Sequence, residues 1–260
     1  MEDDFFEVLF FSAAALASWV PWYADVLRLN RLGSPPRARL LIALAPLACL
    51  VLLFVSLDRF AAKDVRESGP YIVFYLMMGA AALGISSQLF ALLGLSARDD
   101  VLERRNNAAL IALLAAQLGV TFCFAGGNIG EGPGPETVVI SAGTAIAVWF
   151  AFWRLAEFVS GAWISEGITV DRDLARGVRL AGLLIANGVI LGSAAAGDWI
   201  ANRFLHDFAL SAWPALVFSV AVAVLERMST PYSSVRNALV TASSFVLAAI
   251  AFVFFWDMGP

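Results

Sequence analysis

The chain has 260 residues, 60% of them hydrophobic and only 15% charged, with a formal net charge of −4. That is more apolar material than a soluble core of this length uses, and the scarce bases lie in short loops with no basic tract, which excludes a nucleic-acid-binding role. Its apolar runs are about 18–25 residues long, the length that crosses about 30 Å of hydrocarbon at 1.5 Å per residue. Backbone groups in lipid must be satisfied within the segment, so these runs are expected to be helices.

The chain opens Met1-Glu2-Asp3-Asp4-Phe5-Phe6-Glu7, acidic where a cleavable signal peptide is basic, so the first span is expected to be retained. In chain order the spans are predicted at 4–26, 39–57, 70–95, 106–126, 136–163, 176–196, 208–225 and 234–256. The fifth is longer than a crossing requires and is expected to tilt or protrude. Spans two, four, six and eight each start beside arginine and end beside an acid: Arg37 and Arg39 to Asp58, Arg104 and Arg105 to Glu131, Arg176 and Arg179 to Asp198, and Arg236 to Asp257. Twelve of the seventeen Lys and Arg residues, Arg31 among them, fall in loops on that arginine side. Four (Arg59, Lys63, Arg66, Arg203) fall on the other, and Arg154 lies within a span. The positive-inside rule then predicts both termini outside.

The same rhythm carries an internal repeat. RRNNAALIALLAAQLG, LARGVRLAGLLIANG and SVRNALVTASSFVLA each place a polar or glycine step before small residues and an aliphatic run. The expected fold is therefore all-α: one integral membrane domain over residues 1–260, a polytopic bundle of about eight transmembrane helices. It is built from four two-helix units at approximately 1–58, 68–131, 136–198 and 207–257, parallel because each unit crosses twice. Small residues along the even spans, including Gly188 and Gly192 at GxxxG spacing, predict close helix packing.

The NAAL-type helix start, the repeated two-helix units and the turn GGNIGEGPG together resemble the YjfL-type DUF350 family of bacterial inner-membrane proteins. The likeness covers roughly residues 71–255 and is best over 104–199. The first unit departs from it, with a Pro35-Pro36 turn and no asparagine. That family has no established biochemical activity. The resemblance implies a bacterial inner-membrane location and the helix count, and it carries over no catalytic residue.

The loop Gly126–Gly134 is the least ordinary stretch, with five glycines in GGNIGEGPG. A dinucleotide fingerprint needs a strand before it and a helix after it, and this loop lies between two spans. It is read as a tight connector. In its functional version Asn128 and Glu131 are cation or polar-solute ligands at a pore mouth, and Asp58, Asn128, Glu131, Asp198 and Asp257 form an external vestibule.

Within the spans, Arg154 and Glu157 are three apart and are expected to share a face as a snorkelling pair. Asp25 with Arg28 and Glu226 with Arg227 would complete a ring of paired charges at similar depth. Gln88, Gln117, Thr121 and Asn187 could face one another, as interhelical hydrogen bonds by default or as a permeation path. Trp19, Trp22, Trp163, Trp199 and Trp256 read as interfacial anchors.

Cys49 and Cys123 match no metal or redox spacing, and His206, the one histidine, is a loop residue. Lys63, the one lysine, lies in a loop, which excludes a retinal Schiff base. No catalytic motif is present, so no cofactor, no metal and no enzymatic activity are expected. The expected partners are the lipid bilayer and either further copies of the chain or another membrane protein, with no nucleic acid. Three functions are compatible: a scaffold or assembly subunit, a channel or passive transporter for a cation or small polar solute, and a lipid-modifying enzyme. The last would need chemistry from Asp58, Glu131, Asp198 and Asp257.

Overall fold

The computed structural model describes residues 2–28, 36–229 and 234–257, with side chains from residue 6 to residue 255 of these. Arg31, Pro35 and the side chains of Trp256 and Asp257 lie outside the described residues. The helices in chain order are α1 (Glu2–Arg28), α2 (Pro36–Phe60), α3 (Lys63–Arg66), α4 (Gly69–Leu89), α5 (Asn107–Gly126), α6 (Pro135–Ser160), α7 (Trp163–Thr169), α8 (Leu174–Ala195), α9 (Phe204–Met228) and α10 (Val235–Asp257). Eight of them are long and apolar enough to cross a membrane. The protein is an all-α, multi-pass integral membrane protein.

The predicted fifth span is too long by three residues. Gly161 and Ala162 both adopt left-handed backbone, φ 71° and 64°, which ends α6 at Ser160 and turns Trp163 into the start of the short α7. Left-handed residues cannot propagate a right-handed helix. A second short element, the π-helix Ala97–Glu103, precedes α5 as α7 precedes α8.

The starts of α5 and α8 are built alike. Asn106 accepts hydrogen bonds from the Ala108 and Ala109 amides, and Asp173 from those of Ala175 and Arg176. Such side-chain caps satisfy amides that have no intrahelical partner. The residue before each cap, Arg105 or Arg172, has φ 56°. Both pairs are 67 residues apart (172 − 105 and 173 − 106), as are Gly130 at φ 112° and Gly197 at φ 118° beyond the other ends. Asn106 Nδ2 also donates to Ile168 O at 2.6 Å, so the cap of α5 is tied to the end of α7.

Helices α2, α5, α8 and α10 form a row in which α8 packs most extensively on α5 and then on α10. In front of this row α1 packs on α4 and α6 on α9, while α9 also packs on α8. The hairpin partners α1 and α2 therefore bury more against the next unit than against each other. Burial is greatest at the middle of the row and falls off at its ends: 83% of the membrane stretch of α8 and 72% of that of α5 are buried, against 28% for α2 and 17% for α10, while the outlying α1 is 11% buried. Trp149 and Trp153 of α6 are fully buried beside Phe90, and Trp149 Nε1 donates to Leu184 O at 2.9 Å. The aromatic residues nearest one helix end also serve packing, since Trp22 is buried with its Nε1 donating to Ile42 O, and Trp19 Nε1 donates to Ala80 O. Trp22 is thus a core residue and not an interfacial anchor.

Candidate functional site

The glycine loop after α5 does not stand alone. Asn128 is buried and its Nδ2 donates to Phe124 O at 2.7 Å, closing the last turn of α5. The chain then runs beside Ala61, which bridges to Ile129 and Gly130. On its other edge the Gly197 amide donates to Ile129 O and the Trp199 amide to Glu131 O, both at 2.8 Å. The Glu131 amide in turn donates to Asp198 Oδ1 at 2.9 Å. Three connections, those after α2, α5 and α8, are thus laid edge to edge. Gly130 is required here twice over: its φ is left-handed, and a Cβ would lie 2.2 Å from Gly197 O.

These connections enclose a cavity of about 240 Å³ at the acidic end of the bundle. Asn128, Glu131 and Asp198 line it, as the sequence reading proposed. Asp64 and Asp207, which it did not select, line it too, with Tyr75, Trp199 and Phe204 supplying aromatic surface. Asp58 does not: it is exposed at the end of α2, 3.5 Å from Arg59. The Asp257 side chain lies outside the described residues. The four acids therefore do not act as one set. Glu131 and Asp198 meet, and Asp64 and Asp207 stand where Asp58 was expected.

At the opposite, arginine-rich end lies a charge cluster that sequence reasoning missed. Arg176 and Arg179, the third and sixth residues of α8, are 3% and 5% exposed, and Glu226 of α9 is 1% exposed. Arg179 pairs with Glu226 through two hydrogen bonds, one from Nε to Oε1 and one from Nη2 to Oε2 at 2.9 Å. Arg176 stands 3.5 Å from Glu226, 3.6 Å from the buried Asp173 and 3.5 Å from Asp171, with its guanidinium 5.8 Å from the Trp163 ring centre. The expected pair Glu226–Arg227 is thus replaced by Glu226 with Arg179 and Arg176, and Arg227 is exposed. The signal was present as two arginines three apart inside LARGVRLAG, opposite an acid ending an apolar run. Positive-inside bias assigned them to the interface.

Arg154 and Glu157 are corrected as well. Arg154 is exposed and Glu157 buried, and no ion pair joins them among the described residues. Glu157 Oε2 accepts from the Ser165 amide at 3.2 Å, while Oε1 has no hydrogen-bond partner. Residues three apart are offset by about 60° around a helix, and here that offset leaves Arg154 exposed while Glu157 turns inward to the Ser165 amide at the start of α7.

The remaining intramembrane polar residues form separate pairs. Gln117 Nε2 donates to Ser87 Oγ at 3.4 Å, and Asn187 Nδ2 to Ser219 Oγ at 2.9 Å. Gln88 Nε2 donates to Ser18 O at 3.0 Å, and Thr121 Oγ1 to Gln117 O within its own helix. Each ties one helix to a neighbour or to itself, so they do not converge on one another. His206 is exposed beside Asp207, at 3.1 Å, and both cysteines are buried as free thiols. Among the described residues no three side chains of metal-ligand type converge.

No protein-family model, curated protein or solved structure matches the chain.

Proposed function

We propose that the protein is a non-catalytic membrane subunit that assembles laterally with a second copy of itself through α10. One observation carries this reading. One flank of α10, beside the Ala238, Ala242 and Ala249 face that packs on α8, presents Asn237, Thr241, Ser244, Ala248 and Ala251, at alternating spacings of four and three residues. Asn237, Ser244, Ala248 and Ala251 are exposed and Thr241 half-buried. The side of α10 opposite α8 carries Val240, Leu247, Ile250 and Phe254, as the exposed face of α2 carries Leu, Val and Phe, so the flank stands out by its small and polar residues. Small and hydroxyl-bearing stripes at heptad spacing favour close helix contact in membranes. The hydroxyls are already bonded within the helix, Thr241 Oγ1 to Asn237 O and Ser244 Oγ to Val240 O, which leaves the stripe smooth. A two-fold pair of α10 helices would use one stripe on each copy.

This reading includes the expected setting: both termini outside, in the inner membrane of a bacterium, in a family of the YjfL-type DUF350 kind. The loop-charge asymmetry supports the orientation. The paired 67-residue geometry of α5 and α8 supports the repeat.

The expected result is a dimer by light scattering in mild detergent, and disulfide cross-linking of a Ser244→Cys variant across the axis. Cys49 and Cys123 are buried and give little background. Ala248→Leu should shift the mass to the monomer. A folded wild-type chain that stays monomeric in detergent and in vesicles sinks the proposal.

The acidic cavity favours a second reading, a vestibule for cations or a small polar solute. Four carboxylates line it and no Lys or Arg does, and such a recess concentrates cations. In reconstituted vesicles Glu131→Gln should lower cation flux severalfold, while Asp58→Asn should leave it unchanged because Asp58 does not line the cavity. Absence of flux through well-folded wild-type protein removes this reading.

A further inference from the structure

Between the α1/α4 pair and α6 the bundle opens to the bilayer. The opening is an apolar groove of about 220 Å³, walled by Phe10 and Phe11 of α1, Ile85 of α4 and Val139 of α6, with Phe124 of α5 and Gly143 of α6 also lining it. A Cβ at Gly143 would meet nothing within 4 Å. Toward the glycine-loop end the groove widens into a trough of about 420 Å³ that shares Phe10, Phe11 and Val139. Glu7 and Glu136 flank that trough, and no Lys or Arg lines either part.

We infer that this groove holds one acyl chain of a membrane lipid whose headgroup carries an ammonium group, with Glu7 and Glu136 as its counter-charges. Depth is the first reason. Glu136 to Ile146 is ten residues of helix, about 15 Å, which is half of a hydrocarbon core of about 30 Å and so the depth of one leaflet. A lipid tail fits that length whole, whereas a partner's spanning helix would be seated over only half of its own. Charge is the second reason. The carboxylates stand at the mouth, where a headgroup sits, and they repel an anionic lipid while pairing with an ammonium. An unfilled groove would forfeit the dispersion contacts of its lining, so it selects an occupant of its own shape.

The test uses the full chain in vesicles of phosphatidylethanolamine and phosphatidylglycerol in equal amounts with identical acyl chains, followed by native mass spectrometry. The wild type should retain one lipid per chain and prefer phosphatidylethanolamine by about fivefold, a ratio within reach of two solvent-facing ion pairs. The double variant Glu7→Gln, Glu136→Gln should keep a lipid but lose the preference. Gly143→Phe should lose the lipid while helicity and melting temperature hold. Should that variant misfold, Gly143→Leu provides the same obstruction with a smaller side chain. Equal retention of the two lipids by the wild type overturns the inference, as does a folded groove-filling variant that binds as much lipid as the wild type. Disulfide trapping of two copies through Val139→Cys overturns it too, because the groove would then seat protein.

Discussion

Glu226→Ala is expected to be the most damaging single substitution at the arginine end of the bundle, lowering stability by about 3–5 kcal/mol, the cost of stripping a buried ion pair of one partner. Glu226 is the shared acceptor of two buried guanidinium groups, Arg179 through two hydrogen bonds and Arg176 at 3.5 Å. Removing it strands positive charge beneath α9. The two arginines are not equivalent in what remains to them. Arg176 keeps Asp173 and Asp171, and its Nη1 donates to Trp163 O at 3.1 Å. Arg179→Met should therefore cost less than Glu226→Ala, because Arg176 still neutralises the carboxylate. Arg227→Ala, one residue on and exposed, should change stability by less than about 0.5 kcal/mol. Thermal unfolding in detergent, followed by a thiol-reactive dye that reports exposure of Cys49 and Cys123, gives all three values. If Glu226→Ala melts with Arg227→Ala, the cluster contributes nothing to holding α8 on α9.

Eight helices were legible because lipid enforces one rule on every span: long, apolar and internally hydrogen-bonded. Their ends were legible to a few residues where a cap or proline marks them, as at Asn106. The end of α6 was not, because its stop depends on two consecutive left-handed residues, Gly161 and Ala162, and alanine gives no sign of that backbone. Side-chain partners were the least legible. Glu157 sits within reach of Arg154 in sequence, yet it accepts its hydrogen bond from the Ser165 amide across the α6–α7 elbow. The arginines of α8 look like interfacial anchors by the rule that places arginine loops on one side. Their burial depends on α9 supplying Glu226 from 47 residues away. At the acidic end Asn128 and Glu131 of the glycine loop, with Asp198, were chosen from the sequence and line one cavity. Asp64 and Asp207 were invisible as site residues because their membership follows from three loops aligning side by side, a tertiary fact.

The axis of the bundle, the α5–α8 contact, gives the other large expected effect: Gly188→Val should lower stability by about 3 kcal/mol, the upper end of what overpacking ordinarily costs. The glycines here interlock backbone to backbone. A Cβ at Gly188 would lie 2.6 Å from Gly119 Cα, one at Gly119 2.6 Å from Leu184 O, and one at Gly192 2.4 Å from Phe122 O. The obstruction is main chain, which cannot rotate away as a side-chain tip can, so relief requires the two helices to separate. Separation would also stretch the Trp149 Nε1 bond to Leu184 O and loosen the fully buried Trp149. Even Gly188→Ala should destabilise, against the usual gain of about 0.5–1 kcal/mol when alanine replaces a helical glycine. Gly143→Ala is the matching control. It also lies in a spanning helix, has open space where its Cβ would go, and should show that gain. Melting curves of the three variants separate the explanations: if Gly188→Ala and Gly143→Ala both stabilise, α8 has room to shift against α5 and the row is not locked by its glycines. If Gly188→Ala falls while Gly143→Ala rises, the α5–α8 contact is the fixed element on which both the acidic cavity at one end and the Arg179–Glu226 pair at the other depend for their geometry.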